Sequence, residues 1–258
     1  MKYMLEVGAR TLDDVLAAER GGANRVELYS SPLEGALTPS AGLIKTASEV
    51  VNNLLLFVMI RPRAGDFLYS DNEFKTMQRD VEIAVEMGAD GIMCGILKSD
   101  GNLDVERMKD LKRRSGNKKF IFHRAFDFSR KPMRALDEAI SLECDYILTL
   151  GQEQNAAFNR KTLFNIMRHA EDKTKIILGF GADFDTASEL DSVIKETGAY
   201  EYHIVNGYRR RLSKMEGARE RTDNDDYLKD TMLSIDYLSE EAVRECRNIL
   251  DKYDNLKA

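Results

Sequence analysis

Gly22-Ala23-Asn24-Arg25-Val26-Glu27-Leu28-Tyr29 reads as the end of a helix, a tight turn and then a buried strand. Glycine permits a left-handed helix cap, alanine lets the helix end pack closely, and asparagine tolerates the turn into the strand. The same grammar returns at Gly88-Ala89-Asp90, Glu143-Cys144-Asp145 and Gly198-Ala199-Tyr200. Each copy precedes an even-numbered β-rich run, so the chain repeats a two-strand unit. Strands are expected at Tyr3–Val7, Arg25–Tyr29, Leu55–Arg61, Gly91–Leu97, Phe120–Ala125, Tyr146–Leu150, Lys175–Gly179 and Glu201–Val205, with amphipathic helical stretches between them. The junction alone would also suit an open doubly wound sheet. The count of eight rounds in 258 residues argues for closure into an α/β, (β/α)8 TIM barrel, a fold of roughly 250 residues.

With 43% hydrophobic and 32% charged residues and four prolines, the composition is that of a folded soluble domain. A net charge of −6 provides no field that would draw the protein to nucleic acid or an anionic membrane, so neither is expected as a partner. The longest apolar run, Leu54 to Ile60, has seven residues, whereas a membrane span needs about 20. The chain opens on a strand-like segment instead of a signal peptide, and a cytoplasmic location is expected. Cys94, Cys144 and Cys246 are an odd, widely spaced set without a CxxC pair, which suits buried thiols in a reducing compartment. No linker-like stretch divides the chain, so one domain over 1–258 is expected. Residues 207–234 lack a strong apolar period and are expected to be a long loop after strand eight. That loop is either a solvated excursion or a lid carrying Arg209 to Arg211 as anion contacts. A helix from Ser239 to Lys252, opened by a serine cap, would close the ring.

Barrel enzymes place their chemistry on inward side chains at the C-terminal ends of the strands. Alternation along each strand identifies them. Val26 and Leu28 facing the helices leave Glu27 inward, and strand one likewise turns Glu6 inward. Strand three sends Val58 and Ile60 out and Met59 and Arg61 in; strand five sends Phe120 and Phe122 out and Ile121 and His123 in. In strand eight Tyr202 and Ile204 face out, which turns His203 in, beside strand one once the barrel closes. Glu6, Glu27, Arg61, His123 and His203 are thus expected near one end of one cavity. Buried charges must be paired or used, and a Glu27–Arg61 ion pair plugging the barrel is the bland alternative. Arg63 and Arg124 add cationic loop positions, with Asp66 and Asp127 able to hold an arginine or a histidine in place. Gly179 and Gly181 after strand seven offer backbone NH groups where many barrels grip phosphate. His169 falls on a helix and is expected at the surface.

Four segments carry a resemblance: Glu34-Gly-Ala-Leu-Thr-Pro-Ser-Ala-Gly42, Phe57-Val-Met-Ile-Arg-Pro-Arg63, Gly65-Asp-Phe-Leu-Tyr-Ser-Asp71 and His123-Arg-Ala-Phe-Asp127. In order and spacing they resemble the signatures of the CutC copper-homeostasis family from Met4 to about His203. The resemblance implies a cytosolic barrel that self-associates, with copper binding as the family role and copper as the implied cofactor. Members with proposed copper ligands carry one cysteine after Glu-Val of strand one and another after Glu-Leu of strand two; those positions are Gly8 and Tyr29 here. Cu(I) prefers sulfur ligands, so the resemblance does not carry copper over to them. The family's glycine triplet on strand seven reads Gly179-Phe180-Gly181, and the small residues after its strand-eight histidine have become Ile204-Val205-Asn206.

Three functional classes stand open. In the first, an isomerase, epimerase or lyase uses Glu27, His123 and Asp127 as catalytic groups while Glu6, Arg61, Arg63, Arg124, His203, Gly179 and Gly181 hold an anionic or sugar-like ligand. In the second, Glu6, Glu27, His123 and His203 form a mixed oxygen and nitrogen metal site suited to zinc or manganese. In the third, the barrel is a scaffold whose mouth is filled by mutually satisfied ion pairs. No nucleophile motif or dinucleotide fingerprint is present to favour a serine hydrolase or an oxidoreductase.

Overall fold

The computed structural model describes residues 2–153, 156–180, 186–205, 207–215, 227 and 232–256. Eight parallel strands close into a barrel in sequential order: β1 (Met4–Ala9), β2 (Arg25–Leu28), β3 (Leu55–Met59), β4 (Gly91–Cys94), β5 (Lys119–Phe122), β6 (Tyr146–Thr149), β7 (Lys175–Gly179) and β8 (Glu201–Ile204). Helices α1 (Leu12–Gly21), α2 (Ala41–Val50), α3 (Asp71–Glu86), α4 (Val105–Ser115), α5 (Pro132–Ser141), α6 (Arg160–Ala170) and α7 (Thr186–Thr197) follow the first seven strands, and α8 (Glu240–Leu256) packs against α1 and α7. Ser239 caps α8, its hydroxyl accepting from the Ala242 NH.

The repeated junction explains the strand spacing. Gly22, Gly88, Glu143 and Gly198 all have positive φ, at 88°, 102°, 54° and 68°, so each reverses the chain from a helix into an even strand. The third junction does this with a glutamate, in a conformation that glycine adopts more cheaply. Asn24, Asp90 and Asp145 then clamp the preceding odd strand: each NH donates to, and each side-chain oxygen accepts from, the backbone of Leu5, Leu56 and Phe120 respectively. The fourth copy has Tyr200 instead, whose ring lies tilted 5.0 Å from the Tyr3 ring.

Strand alternation splits the apolar side chains into two layers. Phe57, Met93, Ile121, Tyr146, Leu148 and Ile177 fill the barrel interior. Val26, Leu28, Val58, Ile60, Phe120, Phe122, Tyr202 and Ile204 pack outward under the helices, as the sequence pattern predicts. The interior also holds Arg25, fully buried, with its guanidinium between the Phe57 and Tyr146 rings at 4.8 and 4.7 Å. It ion-pairs with Glu6 and, at 3.2 Å, with Glu201. Arg25 and Glu201 obey the same alternation that turns Glu27 and His203 inward.

Residues 207–234 depart from the expected loop. Tyr208–Leu212 (β9) and Ser234–Leu238 (β10) form an antiparallel ribbon. Cross-strand side-chain pairs stabilise it in place of an apolar period: Arg210 bonds Asp236 at 2.9 Å, and Arg211 lies over the Tyr237 ring at 5.2 Å. The Tyr208 hydroxyl donates to the Gly8 carbonyl at 2.9 Å and to Asp14 at 3.2 Å, and the Leu238 NH donates to Asp14. The ribbon is therefore fixed over the turn that leaves β1. Most of the segment between its strands lies outside the described residues. Cys94, Cys144 and Cys246 are all buried free thiols, and His169 on α6 is exposed, bonded to Asp137. No described helix is long and apolar enough to cross a membrane.

Candidate functional site

Closure of β8 onto β1 builds the site. The ladders place Glu6 opposite His203 on one side and opposite Arg25 on the other. Glu6 Oε1 meets His203 Nδ1 at 2.7 Å, while Glu6 Oε2 accepts from Arg25 Nε. The other imidazole nitrogen, Nε2, lies 3.2 Å from Glu27 Oε2. Glu6, Glu27 and His203 are 0%, 4% and 4% exposed. Among the described residues, His203 is the one ion-pair partner of Glu27, and its carboxylate accepts no hydrogen bond from them.

The electrostatics follow from these partners. Burial alone would raise the Glu6 pKa, but the Arg25 charge and the bond to His203 bring it down to about 2. Burial would lower the His203 pKa, yet the Glu6 bond and the charges of Glu27 and Glu6 raise it. Burial and the Glu6 charge hold the Glu27 pKa at about 7, against the opposing pull of His203 and Arg124. Glu6 and His203 form a fixed ion pair, and Glu27 faces it as a carboxyl group near neutrality.

The other expected residues divide. Arg124 is exposed at the barrel mouth, its charge acts on Glu27, His123 and Asp127, and it makes no hydrogen bond or ion pair among the described residues. Arg61 is buried, but the Glu27–Arg61 ion pair does not form. Its Nη1 donates to the carbonyls of Glu34, Gly35 and Ala36 and its Nη2 to that of Gly65, because β3 ends at Met59 and Arg61 already belongs to the loop. Arg63 is taken by Glu73, Asp66 and loop carbonyls. His123 caps the short turn Arg124–Phe128, its Nδ1 accepting from the Ala125 NH at 3.2 Å. Burial, with the Arg61 charge, lowers its pKa to about 3.

Asp127 accepts from the Thr149 hydroxyl and from the NH groups of Leu150 and Gln152, tying the β5 turn to the end of β6. Burial nevertheless raises its pKa. At Gly179 a Cβ would lie 2.5 Å from a Leu150 methyl, and the Phe180 NH is used by the His203 carbonyl, so this turn serves packing first; Gly181 is outside the described residues. The four-residue metal constellation is not assembled: ligand atoms of Glu6, Glu27 and His203 lie within 4.8 Å of one another, and His123 is not among them. Those three could hold a hard divalent cation.

The CutC profile matches residues 3–208. The chain belongs to the CutC family. A CutC protein of Bacteroides fragilis is 42% identical over 202 residues, covering 78% of this chain and 79% of the relative. One of Treponema denticola is 37% identical over 206 residues, covering 80% and 82%. The solved structure of the Streptococcus agalactiae CutC protein, named for copper homeostasis, superposes with a TM-score of 0.73 at 30% identity, covering 78% of this chain and 98% of that one. Phosphoribosyl anthranilate isomerase from Thermus thermophilus, with a TM-score of 0.57 at 12% identity over 97% and 99% of the two chains, shares the fold alone.

In this CutC-family barrel the two positions discussed for copper are neighbours: a Cβ at Gly8 would meet Tyr29 Cε1 at 2.9 Å and Oη at 3.3 Å. The tyrosine ring therefore occupies the space a side chain at position 8 would need. The two replacements are one packing unit, and they present no thiolate. Sequence reasoning passed over Tyr69, whose hydroxyl is buried without a hydrogen-bond partner. Its place in the Gly65-Asp-Phe-Leu-Tyr segment was the signal available.

Proposed function

We propose that this CutC-family barrel is an acid–base enzyme of isomerase, epimerase or lyase type acting on a small anionic substrate, and not a Cu(I) carrier. The observation that supports this reading is Glu27, a buried carboxylate with no hydrogen bond among the described residues, facing an imidazole held by Glu6. Asp127, a buried carboxylate that ties two turns together, is by contrast saturated by three donors. Glu27 takes a proton from carbon and returns it; His203, positioned by Glu6, stabilises the charge that develops. Arg124 offers its guanidinium, unpaired among the described residues, to the substrate's anionic group. Soft-metal binding has little support, since Gly8 and Tyr29 supply no sulfur and the three cysteines are buried. Buried free thiols suit a reducing, cytoplasmic setting, and self-association belongs to the same reading.

The test is calorimetric titration with a panel of small carboxylates, hydroxy acids and phosphate esters. Saturable binding of at least one, weakened tenfold or more by Arg124→Ala, is the expected result. Binding of none of them, beside tight Cu(I) binding, would reverse the proposal.

A further inference from the structure

Among the described residues, Arg61 Nε, Tyr69 Oη and His123 Nε2 are three of the nine buried side-chain atoms with no hydrogen-bond partner, and they lie outside the Glu6–His203–Glu27 cluster. The residues are 5%, 3% and 1% exposed. Two of them border one aromatic ring, Arg61 lying over Phe67 at 5.1 Å and the His123 ring 5.2 Å from it, and the Tyr69 hydroxyl neighbours the Arg61 side chain. The Arg61 charge acts on both the Tyr69 hydroxyl and the His123 ring.

Their hydrogen-bonding polarity is the same. The Arg61 Nη atoms are spent on loop carbonyls, which leaves Nε–H. Because His123 Nδ1 accepts from the Ala125 NH, the ring proton is on Nε2. That ring is seated against Gly95, where a Cβ would come within 2.6 Å of Nδ1. The Tyr69 hydroxyl can also donate. Native folds rarely leave one buried donor without an acceptor, and here one sits on the permanent cation Arg61, whose charge reaches the other two.

We propose that Arg61 Nε, Tyr69 Oη and His123 Nε2 form an oxyanion cradle that binds a carboxylate group of the substrate. The inference rests on the small-anion reading and deepens it by naming the substrate class. One fixed positive charge with two neutral donors complements a single negative charge shared by two oxygens; a phosphate dianion would bring more charge than this set balances. Arg124, whose charge reaches both His123 and Glu27, links the cradle electrostatically to the proton-transfer group. A carboxylated substrate would bridge the two. His123 is thus a binding residue here, and Glu27 the group that meets the reacting carbon.

The experiment uses the full chain with 15N-labelled histidine, following the His123 Nε2–H signal, assigned with His123→Gln, while acetate, inorganic phosphate or chloride is added. Acetate should move the signal saturably, phosphate and chloride should not, and Tyr69→Phe should weaken acetate binding about tenfold. A signal that acetate leaves in place, or unchanged acetate affinity in Tyr69→Phe, overturns the cradle. Movement by phosphate without acetate overturns the carboxylate assignment. Glu27→Gln should bind acetate normally, so loss of the cradle and loss of the proton-transfer reading are separate results.

Discussion

His123 gives the structure a pH dependence whose size can be worked out. Its pKa falls from 6.5 to about 3 in the folded protein, because burial and then the Arg61 and Arg124 charges disfavour the imidazolium. Between those values the unfolded chain binds a proton that the folded chain refuses. Stability from this group is therefore fully present above pH 6.5 and is lost as pH falls toward 3. At about 1.4 kcal/mol per pH unit, the two units from pH 6.5 to 4.5 remove about 2.7 kcal/mol. Other groups titrate in the same range, so the informative quantity is a difference between variants. Urea unfolding of wild type and His123→Gln, measured from pH 7.5 to 4.5, should show the wild type losing about 2.7 kcal/mol more than the variant. The absolute stability of the variant is immaterial to the test. Parallel pH profiles would show that His123 titrates normally and would refute its burial as a neutral donor.

The packing of Tyr29 against Gly8 predicts that Gly8→Cys alone is destabilising, whereas Gly8→Cys with Tyr29→Cys accommodates both side chains and gains tight Cu(I) binding in competition with a calibrated chelator. Removing Arg25 by Arg25→Ala leaves Glu6 and Glu201 buried without their shared cation, and urea unfolding should show a loss of about 3–5 kcal/mol. Asn24→Ala removes the acceptor of the Leu5 NH and an Arg247 contact; a loss of about 1–3 kcal/mol is expected in the same assay. Glu143→Gly relieves a non-glycine residue at φ 54° and should raise the unfolding midpoint, by up to about 1 kcal/mol in stability.

The barrel was legible because its two periodicities are local. Three of the four junctions carry an Asn or Asp that clamps the preceding strand, and strict alternation assigns Glu6, Glu27, His123 and His203 to the interior. Arg25 and Glu201 lay open to the same rule. Where the pattern gives way is at the strand ends. Arg61 continues the alternation of β3 but belongs to the loop, so its guanidinium organises carbonyls from two other segments instead of meeting Glu27. The saturation of Asp127 depends on contacts between residues 22 or more positions apart, which no local window contains. The ribbon of β9 and β10 was hidden for another reason: it is held by Arg–Asp and Arg–Tyr pairs and by Tyr208 on Gly8, not by an apolar stripe.

Proton transfer by Glu27 is the centre of the account, and hydrogen–deuterium exchange at carbon measures it most directly. Small keto and hydroxy carboxylates would be incubated in D2O with wild type, Glu27→Gln and the triple Cys94→Ser, Cys144→Ser, Cys246→Ser variant, and loss of the C–H signal next to the carbonyl followed by proton NMR. Exchange of at least one carboxylate is expected with wild type and with the cysteine variant, slowed by about 10²-fold or more in a folded Glu27→Gln. Exchange at equal rates in wild type and Glu27→Gln, or none with any carboxylate, would contradict it.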